Sequence, residues 1–207
     1  MRQAIESVDP QVFDRIWKIA QEIGAQERHF NSVQTGYRNM ASAWLLASFA
    51  GIGFALSQKL EIVFDRELLV VAVALAGGLG ISLLWVLDLL VYHRLLDSCF
   101  IEGLILEERY PWLPPFRSNM MKIQAGQGVL FRTVGFYLAP IVVLIIVATG
   151  ALALWCYRGN YPLAAALSVV TGVASAFLAG TVIRSKTENT AAIIETLAAA
   201  RRASNAK

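Results

Sequence analysis

Four stretches of at least twenty residues carry no charged side chain: Asn39–Gln58, Leu68–Leu87, Thr133–Tyr157 and Gly159–Ile183. A helix rises about 1.5 Å per residue, so roughly twenty apolar residues cross a hydrocarbon core of about 30 Å. Each stretch is apolar all round, whereas the strands of a membrane barrel alternate apolar and polar residues. In lipid the backbone must satisfy its own polar groups within the segment, and a helix does so. The spacing therefore predicts an all-α integral membrane protein with four transmembrane helices.

Composition agrees. The chain is 57% hydrophobic and 16% charged, with a mean hydropathy of +0.55, against about 45–50% apolar and about 25% charged for soluble domains. A chain of 207 residues with that surplus makes one compact membrane unit and leaves little for a separate soluble domain. The first apolar run begins near Asn39, after a long charged stretch with its own helical pattern, so no signal peptide is expected.

Lys and Arg are distributed unevenly. Five fall before the first span, five in the middle connection and five in the tail, while only Lys59, Arg66 and Arg158 lie in the other connections. Basic residues mark the cytoplasmic side, and an even number of spans then puts both termini there. The expected setting is the inner membrane of a bacterium. Trp155, Tyr157 and Tyr161 would form an aromatic belt at the outer interface. Cys99 and Cys156 fall on opposite sides and cannot pair within one subunit, and their spacing fits no metal site.

The cytoplasmic segments are themselves patterned. Asp9-Pro10 reads as an N-cap followed by proline at the first helical position. Val12, Ile16, Ile19, Ile23, Phe30, Val33 and Tyr37 then mark one helical face leading into the first span. Beyond the second span, Tyr92, Leu96, Cys99, Gly103, Leu106 and Tyr110 repeat at alternating steps of four and three. That helix should stop at Pro111, in the run Pro111-Trp112-Leu113-Pro114-Pro115, and Pro140 should kink the third span. The alanine-rich tail after Ile183 is expected to continue as a helix. The organisation predicted is a cytoplasmic amphipathic helix (1–38), a first membrane hairpin (39–92), and a cytoplasmic helix with a Pro-rich connection (93–128). A second hairpin (129–183) and a C-terminal cytoplasmic helix (184–207) follow. Several helices would extend into a cytoplasmic helical stalk, although residues 10–36 could instead lie flat on the lipid.

Small residues recur at helical spacing within the spans. Ala43, Ala47, Gly51 and Ala55 line the first, Ala72, Ala76 and Gly80 the second, and Ser168, Gly172, Ala176 and Gly180 the fourth. Such stripes let backbones approach where lipid removes the hydrophobic incentive. They serve packing within one subunit or a face between subunits, and three of them favour a homo-oligomer.

Asp88 stands out at the cytoplasmic end of the second span. Counted by fours, it extends Ala72, Ala76, Gly80 and Leu84, and so points into the bundle. Ionisable groups at membrane depth are costly and usually paired. Arg132 and Arg38 are the candidate partners in an inter-helix pair; the alternative is an acidic pore mouth in an oligomer. His93 and Asp97, four apart, can form a polar pair on the stalk. Glu107-Glu108 reads as a solvated helix end, and Gly77-Gly78-Leu79-Gly80 lies inside a span, which makes it packing and not a phosphate loop. No nucleophile–base set, metal-ligand cluster or cofactor motif emerges, so neither enzyme activity, metal, cofactor nor nucleic-acid binding is expected. Trp112, Phe116, Met120 and Met121 cluster in the cytoplasmic connection, where they cap the stalk, rest on lipid or dock a soluble partner.

The first fifty residues, from Glu27-Arg28-His29-Phe30 through Tyr37-Arg38 and into Ala43-Trp44-Leu45-Leu46, resemble bacterial SLATT-type membrane effectors. In those proteins an amphipathic cytoplasmic helix runs into a membrane hairpin, usually two spans where this chain has four. In architecture the chain is similar to the four-span membrane subunit of the Kiwa anti-phage system, which acts with a soluble partner. Either resemblance implies a role in bacterial defence against phage. The sequence thus supports two functional expectations beside contact with membrane lipid. One is a homo-oligomeric effector forming or gating a conductive path, and the other is a membrane scaffold that recruits a soluble cytoplasmic partner. A small-solute transporter would show paired broken spans, and no internal repeat of that kind is visible.

Overall fold

The computed structural model describes residues 9–57, 65–124 and 129–205, with side chains outside 121–133 and 186–205. Among the described residues every regular element is helical: α1 (Pro10–Ser57), α2 (Arg66–Trp85), a π-helical stretch (Val86–Tyr92), α3 (His93–Arg109), α4 (Phe116–Gln124), α5 (Val129–Arg158) and α6 (Pro162–Asn205). Four of these helical runs contain segments long and apolar enough to cross a membrane. Between 17% and 28% of the most apolar window in each is buried, so most of that apolar surface faces outward.

Local chemistry sets the boundaries. Asp9 Oδ1 accepts the Gln11 backbone N–H at 2.9 Å, and Pro10, whose missing N–H has no partner to lose, opens α1. α3 ends at Arg109 because Pro111 cannot continue it, and Leu113 N–H closes a turn onto the Tyr110 carbonyl at 2.9 Å. Gly159, Asn160 and Tyr161 join α5 to α6, with Asn160 in the left-handed region at φ 61°, and Pro162 starts α6. α5 runs through Pro140 without a break. The tail after Ile183 continues as helix to Asn205.

The chain divides into two compact units. One comprises Tyr37–Asp88 and Leu130–Asn189, and the other comprises Met1–Gly36, Leu89–Val129 and Thr190–Lys207.

In the first unit, the membrane-length helices meet through small residues. A β-carbon added at Gly77 would overlap the Ser48 side chain, one at Gly80 the Trp44 indole, and one at Gly172 the Thr149 side chain. Gly51 comes close to Val73, and Gly180 faces Leu138 at ordinary contact distance. Gly51, Gly77, Gly80 and Gly172 therefore bring helices of this one chain together. Ala176 is half-buried, whereas Ala43, Ala47, Ala72 and Ala76 face outward. At one end, Trp155 Nε1 donates to Asp65 Oδ2 at 2.6 Å, and Arg158 pairs with Glu67.

The line of burial leading to Asp88 is Val70, Ala74, Gly77, Ile81 and Trp85, not Ala72, Ala76, Gly80 and Leu84. Four residues overshoot a turn of 3.6 by about 40°, so four such steps drift about 160° around the helix. Only alternating steps of three and four stay on one face.

In the second unit, Ile16, Trp112 and Leu113 form a core, with Phe13, Ala20, Leu106 and Tyr110 packed against it. Phe13 stacks on Trp112 at 4.8 Å between centroids. The Pro-rich turn is thus folded back onto the start of α1.

Along α1, covered positions include Phe13, Ile16, Ala20, Ile23, Glu27, Phe30, Gln34, Tyr37, Ala41, Leu45, Ser48, Ile52 and Ala55. Val12 and Ile19, expected on that face, are 44% and 41% exposed. One position of the seven-residue repeat is Ala20, Glu27, Gln34, Ala41, Ser48 and Ala55, small or polar throughout. A reading that follows only large apolar residues passes over it.

Candidate functional site

Asp88 is fully buried. Its Oδ2 accepts a hydrogen bond from the Tyr137 hydroxyl at 2.8 Å and one from Arg38 Nε at 3.0 Å. A carboxylate withdrawn from water needs a charge partner and hydrogen bonds together, and here α1 and α5 supply one each. Arg38 was one of the two expected partners; the Arg132 side chain lies outside the described residues. Tyr137 was not anticipated, although a phenol inside the third apolar window, one turn from its start, is a signal for a buried polar contact. Within this chain the Asp88 carboxylate faces other helices, not solvent. One turn earlier, Trp85 Nε1 is buried and makes no hydrogen bond among the described residues.

In the other unit, His93 and Asp97 form the anticipated pair, Nε2 to Oδ2 at 3.6 Å. Gln34 on α1 contacts His93 Nδ1 at 3.3 Å. Burial pushes the Asp97 carboxyl above its ordinary range, partly offset by His93. Cys99 on the same helix contacts Gln26 Oε1 at 3.6 Å. Burial raises its thiol, Glu27 adds to the rise, and Arg117 opposes it.

The densest polar centre is one the sequence did not reveal. Arg117 at the start of α4 donates from Nε to Glu27 Oε1 at 2.7 Å and from Nη2 to Glu27 Oε2 at 3.0 Å, a two-pronged pair with α1. Its Nη1 reaches Glu107 Oε1 on α3 at 3.3 Å. Glu107 also accepts the backbone N–H groups of Arg117 at 3.0 Å and Ser118 at 3.1 Å, and the Ser118 hydroxyl at 3.2 Å. It thereby caps the first turn of α4, where unpaired N–H groups attract negative charge. Burial works against the charged Arg117 guanidinium, but hydrogen bonds and charge from Glu27 and Glu107 outweigh it and hold the group above its ordinary value. Glu107, expected as part of a solvated helix end, is only 8% exposed. A carboxylate four residues before a Pro-rich turn can reach the helix that follows the turn, a relation invisible to periodicity within α3.

Beside this centre lies a cleft of about 610 Å³. α1 lines it with Trp17, Gln21, Gly24, Arg28 and Asn31, α3 with Gly103, Leu106 and Glu107, and α4 with Phe116, Arg117 and Met120. Of the expected docking residues, Phe116 and Met120 are 69% and 48% exposed. Trp112 is not: it sits in the core at 8%, because the turn carries it back onto Phe13 and Ile16. The Met121 side chain lies outside the described residues.

Among the described residues no three His, Cys, Asp or Glu side chains gather where they could hold a metal ion. No protein-family model, curated protein or solved structure matches this chain.

Proposed function

We propose that the chain is a multi-pass membrane scaffold whose soluble helical unit recruits a protein partner from the cytoplasm. The observation that carries this reading is the cleft bounded by α1, α3 and α4, with exposed Phe116 and Met120 at its edge. Large apolar side chains at an open cleft are the usual anchors of a protein interface. Fifteen of the eighteen Lys and Arg residues lie in the N-terminal, middle and C-terminal segments, which supports cytoplasmic termini and an inner-membrane location. α1, α3 and the end of α6 are then the parts that reach into the cytoplasm as a stalk. The resemblance to phage-defence membrane proteins supports a place in such a system, and no chemical step is assigned to the chain.

The test is purification in a mild detergent from cells expressing the natural neighbouring genes. A stoichiometric soluble protein is expected, lost when Phe116 and Met120 are both replaced by alanine while the membrane protein itself remains folded. A chain that purifies alone under these conditions contradicts the reading.

A second reading, a homo-oligomer that forms or gates a conductive path, is favoured by the outward-facing Ala43, Ala47, Ala72 and Ala76. These leave a close-approach surface on α1 and α2 that packing among the described residues does not use. Ion flux through liposomes containing the purified chain, abolished by replacing Ala47 and Ala76 with leucine, is its signature.

A further inference from the structure

The helical run from Arg66 to Arg109 is continuous, yet its middle, Val86–Tyr92, is wound as a π-helix. A π turn closes i→i+5 hydrogen bonds where an α turn closes i→i+4, so it takes up one residue more. Nothing in the local sequence imposes that winding. Val86-Leu87-Asp88-Leu89-Leu90-Val91-Tyr92 holds no proline, glycine or serine, the usual causes of a break in a helix. An α turn is open to the same residues.

Two polar contacts account for the extra residue. Asp88, near the start of the stretch, accepts a hydrogen bond from Arg38 Nε at 3.0 Å. His93, the residue just past its end, meets Gln34 through Nδ1 at 3.3 Å. Gln34 and Arg38 stand four apart on α1, so they share a face about 40° wide. Asp88 and His93 stand five apart. In an α-helix five residues turn through about 500°, which would leave the two side chains about 140° apart and unable to meet one face together. The additional residue of a π turn brings His93 to the direction a fourth residue would have, about 40° from Asp88. Tyr92, whose ring lies 6.4 Å from that of Phe30, does not decide the winding, because it follows Asp88 by four and faces α1 in an α turn as well.

We propose that Val86–Tyr92 is a two-state turn, π-wound while Asp88 and His93 both hold α1 and α-wound once either contact is broken. In the α state Tyr92 takes the position of His93 opposite Gln34. The buried carboxylate and the imidazole beyond it are thereby coupled, because each contact preserves the winding that the other requires. Helices that shift by a fraction of a turn are a common switching element.

The test reads the winding directly in the full-length chain in lipid nanodiscs, with Cys99 and Cys156 replaced by serine. Nitroxide labels go on Leu83→Cys and Leu95→Cys, positions that are 58% and 44% exposed and belong to neither contact. With the π turn the labels stand about 20° apart around the helix and about 17 Å apart along it. An α turn places them about 120° apart, which lengthens the separation by roughly 4 Å on a helix about 11 Å across. Electron paramagnetic resonance should give the shorter distance in the parent. Asp88→Leu and His93→Ala should each lengthen it by that amount. A distance that neither substitution changes overturns the proposal, and so does a change in one variant alone, which would tie the turn to a single contact.

Deletion of Val91, itself 42% exposed, gives a second measurement that does not depend on removing a buried charge. It leaves Asp88 and His93 four apart, so an ordinary α turn satisfies both contacts. The shortened chain should fold, keep the shorter label distance, and hold it when His93→Ala is added. A deletion that prevents folding, or a distance that still lengthens with His93→Ala, would show that the extra residue serves packing and not the two contacts, and the proposal falls.

Discussion

Gly103 lies directly against the guanidinium of Arg117, and a β-carbon there would overlap the Cζ, Nε and Cδ atoms. The arginine cannot simply swing aside, because Glu27 holds two of its nitrogens and Glu107 a third. Gly103→Ala should therefore break the two-pronged pair while leaving two carboxylates close together. We expect about 2–4 kcal/mol of lost stability, in the range for disrupting a buried ion pair. Chemical unfolding followed by tryptophan fluorescence in detergent measures it. Arg117→Met should cost at least as much, and adding Gly103→Ala to it should cost little more, since the side chain in the way is gone. Full additivity of the two changes would show that the crowding is not at Arg117.

Tyr137 and Trp85 are both polar aromatics buried near Asp88, yet only the first is hydrogen-bonded to it. Tyr137→Phe removes a hydrogen bond to a buried carboxylate and should destabilise the chain by about 1–3 kcal/mol. Trp85→Phe removes an N–H that makes no hydrogen bond among the described residues, so its cost should be limited to packing volume. Thermal unfolding of the two variants side by side decides the matter. Equal losses at both positions would mean that the Tyr137 hydroxyl contributes nothing beyond shape.

The four membrane-length helices were legible because uncharged runs of twenty residues have few other uses, and Asp9-Pro10 and Pro111 were legible because proline acts locally. The faces of those helices were not. A membrane helix is apolar all round, so the side that meets its neighbours is marked by small or polar residues and not by hydrophobicity. Counting by fours from Asp88 drifted off the covered line. On α1, Glu27 and Gln34 interrupt the apolar stripe while occupying its buried seam. Trp112 and Glu107 were misplaced for a different reason: their environments are made by a turn that brings distant segments together. The π-helical stretch Val86–Tyr92 leaves no mark in composition. The regular repeat of Ala20, Glu27, Gln34, Ala41, Ser48 and Ala55 was available in the sequence and would have found the seam.

Asp97 gives a pH dependence with a definite sign. Burial raises its folded-state pKa above the ordinary carboxylate value, with His93 opposing the rise. Between the two values the folded chain holds a proton that the unfolded chain has lost, so stability falls as pH rises through that window. Below about pH 4 the carboxyl is protonated in both states and the penalty vanishes. Asp97→Asn, which mimics the protonated form, should therefore be more stable than the parent at neutral pH and equal to it in acid. Unfolding midpoints across that range provide the measurement. A variant less stable than the parent at neutral pH would show that attraction to His93 exceeds the burial penalty.

Orientation across the membrane can be tested at the turn between α5 and α6. Tyr157 and Tyr161 are 71% and 63% exposed there, beside a segment whose only basic residue is Arg158. With the basic segments on the cytoplasmic side, as proposed, this turn is expected outside the cell. In a chain whose two natural cysteines are replaced by serine, Tyr161→Cys should react with a membrane-impermeant maleimide applied to intact cells. A cysteine at Phe116, equally exposed but on the basic side, should react only after the membrane is opened. The reverse pattern would invert the chain in the bilayer. The cleft between α1, α3 and α4 would then face away from the cytoplasm, and no cytoplasmic partner could reach it.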